Sequence, residues 1–111
     1  MNTIFGIGTD IVDVNRIQKL INKNIKFRNK IFFKKEIKYC ESKTNKVASY
    51  SKRFAAKEAF AKALGVGISK GISFNEIVVN NNKYGAPFIE LSGKTKTIVQ
   101  TLIKKTLEHQ V

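Results

Sequence analysis

Little in this chain of 111 residues suits chemistry on soft ligands: it has one cysteine, one histidine, one proline and no tryptophan. The lone Cys40 rules out an internal disulfide framework and fits a reducing compartment. The lone His109, in "LEHQV", excludes a histidine metal site or a histidine-based triad as a self-contained device. No apolar run approaches the length needed to span a bilayer, and "MNTIFGIGTD" lacks the basic, then continuously apolar, layout of a signal peptide. The expectation is a cytoplasmic protein with no membrane partner. Acidic residues are also scarce, eight against 21 Lys and Arg, for a formal charge of +13. Such an excess attracts nucleic acid, an anionic membrane, a phosphorylated small molecule or an acidic protein. The cations are nearly all lysine in a chain rich in Asn and Ile, a mixture that an AT-rich coding sequence also produces. The charge therefore gives a class of partner and not a name.

What is present organises into one domain over residues 1–111, with no repeat, linker or low-complexity tail. "TIFGIGTDIV" predicts a short first strand ending near Asp10, its glycines allowing close backbone approach. Val14, Ile17, Leu20 and Ile21 recur at helical spacing, so "DVNRIQKLINK" predicts an amphipathic helix, with Asp10 or Asp13 near its start. "KFRNKIFFKKEIKYCESK" holds one or two short helices anchored by Phe27, Ile31 and Phe32. A central helix runs from about Lys46 to Leu64 and stops at Gly65. "SFNEIVVNN" and "PFIEL" predict hairpin strands around the turn cluster "NNNKYGAP". A last helix follows, with Ser92 as its N-cap and Ile98, Val99, Leu102, Ile103 and Leu107 on one stripe. The class is α+β, a small antiparallel sheet packed with a long central helix.

The central helix carries the most unusual chemistry. In "RFAAKEAFAKALG", Glu58 and Lys62 lie four apart on one face, and Arg53 and Lys57 lie four apart on another. By spacing alone these are solvated charges on a surface helix, with a favourable Glu58–Lys62 pair worth a few tenths of a kcal/mol. However, Ala55, Ala56, Ala59, Ala61 and Ala63 with Phe54 and Phe60 leave little of the circumference polar. A charge set among small apolar residues tends to be paired or to bind an ion. Asp10, by itself a turn former or cap, adds a second carboxylate at a strand end. Two carboxylates with nearby lysines are a minimal kit for Mg²⁺-assisted phosphate chemistry, since Mg²⁺ takes few carboxylates and keeps substrate oxygens. Spacing does not establish that the two meet. "GVGIS" follows a helix and does not precede one, so it is a helix stop and no P-loop. Cys40 has no histidine near it in sequence and is expected to pack.

"GIGTDIVDVNRI", "RFAAKEAFAKALGVGI", "FNEIVV" and "YGAPFIEL" together resemble the small holo-acyl-carrier-protein synthases, the bacterial-type phosphopantetheinyl transferases, in order and spacing over nearly all of positions 4 to 93. The resemblance implies the phosphopantetheinyl transferase fold in a homotrimer with active sites at subunit interfaces. It also implies Mg²⁺-dependent transfer of 4′-phosphopantetheine from coenzyme A to a serine of acyl carrier protein, a step serving fatty acid biosynthesis. Carried over, Asp10 and Glu58 would hold the metal, and Lys62 joins them as a catalytic group. A metal-bound water, Glu58 or Lys62 could take the serine proton. Arg53 and Lys57 would meet phosphates of coenzyme A, while Gly65, Gly67 and Pro87 would border its adenosine. Arg16 and Lys19 would form the basic face that docks the acidic apo-carrier protein, so the charge needs no nucleic acid.

Two departures stand out. Ala86 sits where the family commonly has lysine before the proline. Family members also continue into a last strand with an S-x-S-H motif, and this chain ends at "LEHQV" about where that strand is expected to begin. The rival readings are a relative that binds coenzyme A or carrier protein without turnover, and a small basic nucleic-acid-binding module. The second lacks any RRM, KH or zinc-type signature, and its lysines are spread over all elements.

Overall fold

The computed structural model describes residues 14–23, 25–65 and 71–109. The expected first strand lies outside them, as do Asp10, Asp13 and Gly67. Five helices and one hairpin follow in order: α1 (Val14–Lys23), α2 (Ile25–Ile31), α3 (Lys34–Glu41), α4 (Lys46–Leu64), a 3₁₀ turn (Phe74–Glu76), β1 (Ile77–Asn81), β2 (Pro87–Leu91) and α5 (Gly93–His109). The α+β expectation holds.

Each boundary has a local cause. The Glu36 carboxylate reaches back one turn to accept the Phe33 N–H at 3.0 Å, fixing the start of α3. Asn45 caps α4 by accepting the Ala48 N–H at 3.1 Å. At its other end Gly65 turns left-handed, φ +72°, and its N–H bonds the Lys62 carbonyl. That conformation costs a residue with a Cβ and suits glycine, so the helix stops where expected.

The hairpin is antiparallel, with Val79 opposite Ile89 and Asn81 opposite Pro87. Its turn is closed by Asn82, whose side-chain oxygen accepts the N–H groups of Tyr84 and Ala86. Pro87 opens β2, a position where its missing N–H is tolerated. β1 is buried over its first three residues, whereas β2 is largely exposed.

Two apolar clusters hold these pieces. Ile17, Phe32, Cys40, Tyr50 and Ala55 join α1, α3 and α4, with Phe32 and Tyr50 meeting edge to face at 4.9 Å. Ile72, Ile77 and Val99 join the hairpin to α5, with Phe60 and Leu64 of α4 packed against them. Cys40 packs as expected and is fully buried, which pushes its thiol pKa up.

The start of α5 differs from expectation. The amides of Lys94 and Thr95, which an N-cap at Ser92 would serve, instead bond the Glu76 carboxylate at 3.2 and 3.0 Å, and the Thr95 hydroxyl adds a bond at 2.7 Å. A carboxylate satisfies two orphan donors and matches the positive end of the helix dipole, so it displaces a neutral hydroxyl. The α5 stripe is buried only along its first half: Val99 is inside, while Ile103 and Leu107 are exposed.

Glu76→Ala is expected to cost about 1 kcal/mol in urea unfolding, as for loss of a good N-cap. The hydroxyl bond from Thr95, then the backbone bonds, hold the Glu76 carboxyl below its ordinary value of 4.5. A depressed folded pKa gives stability that is complete above that ordinary value and is lost as pH falls through the lower folded one. The stability gap between parent and Glu76→Gln should therefore shrink from about pH 6 to about pH 3.

Candidate active site

The buried side of α4 is polar. Arg53, Lys57 and Ala61 follow one another at one-turn intervals, and all three are buried. Burying two cations on one helix face requires partners for each, and the two find different ones.

Lys57 is fully buried and donates three hydrogen bonds: to Glu36 at 2.6 Å, to the Phe74 carbonyl at 2.8 Å and to the Ile77 carbonyl at 2.6 Å. Glu36, 1% exposed, uses its second oxygen to accept the Val79 N–H at 3.1 Å. Burial pulls the Lys57 ammonium below its ordinary pKa of 10.5, opposed by the Glu36 charge. An ammonium has three N–H donors, and all three are occupied. The expectation that Lys57 meets coenzyme A phosphates is therefore corrected: it is an internal tie among α3, α4, the 3₁₀ turn and β1.

Arg53 has a different setting. It is 6% exposed; its Nη2 donates to the Asn81 side-chain oxygen at 2.8 Å, and its guanidinium carbon lies 4.0 Å from the centre of the Tyr39 ring. Its Nε–H is buried with no acceptor among the described residues. Arg53 borders a cavity of about 390 Å³ also lined by Tyr39, Ser49, Lys52, Asn81 and Pro87. Two expected ligand contacts, Arg53 and Pro87, thus come from distant segments to one cavity.

The other expected residues are placed as follows. Glu58 is half-buried and Lys62 exposed, one turn apart on α4. Gly65 is exposed at the helix end, and Arg16 and Lys19 are exposed on α1. Asp10 and Gly67 fall outside the described residues. Glu58 is the sole acidic residue of α4, and among the described residues no group of three or more His, Cys, Asp or Glu is assembled to cage a metal. A lone half-buried carboxylate on α4 is compatible with a magnesium site of few carboxylates completed by substrate oxygens; the expected second donor, Asp10, lies outside the described residues.

Sequence reasoning missed Glu36, Tyr39 and Asn81. Glu36 and Tyr39 are three apart on α3, and their common inward face was obscured by Lys34, Lys35 and Lys38 around them. Asn81 ends the expected strand "SFNEIVVNN" and also opens into the turn cluster "NNNKYGAP", and nothing in that local pattern marks its side chain as a partner for α4.

A model of the 4′-phosphopantetheinyl transferase superfamily matches residues 6–110. The holo-[acyl-carrier-protein] synthase of Cytophaga hutchinsonii is 46% identical over 108 residues, covering 97% of this chain and 85% of the relative. Among solved structures, the holo-[acyl-carrier-protein] synthase of Neisseria meningitidis superposes with a TM-score of 0.69 at 37% identity, covering 97% of this chain and 81% of that one. The Bacillus anthracis synthase in complex with CoA (3′,5′-ADP) gives 0.66 at 38%, covering 82% and 78%.

Lys57→Met leaves Glu36 buried and unpaired, and should lower the unfolding free energy by about 3–5 kcal/mol. Adding Glu36→Gln to that variant should recover part of the loss, as measured by urea denaturation. A Lys57 that served only a ligand would leave the unfolding curve unchanged.

Proposed function

We propose, from the premise that this chain belongs to the holo-[acyl-carrier-protein] synthase family of the 4′-phosphopantetheinyl transferase superfamily, that it moves 4′-phosphopantetheine from coenzyme A to a serine of apo-acyl carrier protein. The observation that carries this reading is the cavity in which Arg53 of α4 and Pro87 of β2 meet, lined by cationic and apolar side chains. Coenzyme A offers phosphates for the first and an adenosine face for the second, and a solved relative binds CoA (3′,5′-ADP).

In this reading the buried guanidinium holds phosphate oxygens with a planar fork of donors that suits them. Pro87, Gly65 at the end of α4, and Gly67 border the adenosine. Asp10 and Glu58 hold Mg²⁺, which supplies Lewis-acid neutralisation of the diphosphate when bound. Lys62, one turn beyond Glu58, places a cation beside the same phosphates when it is an ammonium, and Glu58, or Lys62 as the neutral amine, can accept the proton that the carrier serine loses. The serine oxygen attacks the phosphorus bearing the pantetheine arm, and adenosine 3′,5′-bisphosphate leaves.

Arg16 and Lys19 on the exposed side of α1 form a basic face for the acidic carrier, which uses the charge of +13 for association without nucleic acid. The working unit is a cytoplasmic homotrimer of one domain per chain, serving fatty acid biosynthesis. Among the described residues no helix is long and apolar enough to cross a membrane.

Incubation with apo-acyl carrier protein, coenzyme A and Mg²⁺ should add one phosphopantetheine to the carrier, read by intact-mass spectrometry. Asp10→Asn and Glu58→Gln should each reduce the rate by at least about a hundredfold while the folded spectrum is retained. No mass increase with the parent chain, or unfolding of both variants without a selective loss, would sink the assignment.

A further inference from the structure

We infer that Asn81 and Tyr39 are positioning residues that hold the Arg53 guanidinium ready for an anionic ligand, and that the hairpin turn braces Arg53 through Asn81. This rests on the reading of Arg53 as a phosphate contact.

The geometry begins with a buried cation whose described partners are neutral. The carboxylate of Glu36, which lines a pocket with Arg53, is matched by Lys57 at 2.6 Å. Arg53, one turn earlier on α4, is left with an amide oxygen at 2.8 Å and an aromatic face at 4.0 Å. Both contacts orient a guanidinium without cancelling its charge. An ion pair would have done the opposite, filling the fork that a phosphate needs. The orphaned Nε–H adds a donor that an anion's oxygen can satisfy.

Asn81 is itself fixed. Its side-chain N–H donates to the Gly85 carbonyl at 3.0 Å, so its oxygen is turned toward Arg53 and not the reverse. Gly85 sits at φ +85°, within a turn closed by Asn82. A chain of contacts thus runs from turn to Asn81 to Arg53, while Tyr39 covers one guanidinium face. Pro87, which opens β2 opposite Asn81, lines the same cavity. The hairpin therefore contributes twice: a wall through Pro87 and an anchor through Asn81.

The test is calorimetric titration of coenzyme A and of adenosine 3′,5′-bisphosphate into the full chain and its variants, with melting curves alongside. Asn81→Ala should weaken both ligands about tenfold, the scale of a hydrogen bond to a charged group, with a melting temperature close to the parent's. It should add nothing in an Arg53→Ala background. Asn81→Asp should also weaken binding, because its charge neutralises the fork and it lacks the N–H that anchors Asn81 on the Gly85 carbonyl. Tyr39→Phe, keeping the ring, should bind like the parent, and Tyr39→Ala should not, an independent check should Asn81→Ala fold poorly. If Arg53→Ala weakens binding while Asn81→Ala and Tyr39→Ala do not, or if the Asn81 and Arg53 effects simply add, the positioning inference is overturned alone. If Arg53→Ala binds like the parent, the phosphate contact beneath it falls as well.

Discussion

An ammonium and a carboxylate, both withdrawn from water, lie where α3, α4, the 3₁₀ turn and β1 converge. The Ile77 carbonyl and the Val79 N–H point to the same side of β1, away from the strand that pairs with it. Lys57 and Glu36 satisfy them there. An unpaired strand edge is otherwise an invitation to association, and a buried one is a desolvation cost. The attraction within such a pair roughly offsets the cost of burying it. What it adds here is geometry: a helix and a strand locked in register by side chains acting where a neighbouring strand would act.

The same constraint divides the labour between two cations of one helix. Lys57 meets a carboxylate and two carbonyls and becomes internal structure. Among the described residues Arg53, one turn away, meets an amide oxygen and a ring, and it keeps a charge that faces a cavity. Identical spacing thus leads to opposite roles, decided by which acceptors the hairpin and α3 bring up. The half-buried Glu58 lies on the neighbouring row of the same helix, so the internal tie and the candidate site share one rigid element, a placement that favours precision.

Much of this was legible in the chain. The limits of α4 followed from Gly65 and from the run of helix formers, and the hairpin followed from "NNNKYGAP" between two apolar strands. The kinship with phosphopantetheinyl transferases rested on motifs long enough to leave little to chance. What could not be read was the direction in which charged residues turn. A periodicity argument assumes that polar faces outward, and α4 places Arg53 and Lys57 inward because their partners come from elements 17 to 28 residues away in sequence. Likewise, Ser92 was the obvious local cap for α5, and a carboxylate from the 3₁₀ turn took its place. Non-local acceptors leave no mark in local pattern.

Cys40 has a consequence of its own. The chain contains a single thiol, and it sits with no exposed surface between α3 and α4, where desolvation suppresses the reactive thiolate. Alkylating dyes must wait for those helices to part. The molecule thus carries a built-in clock for opening of its core, readable without adding any label site.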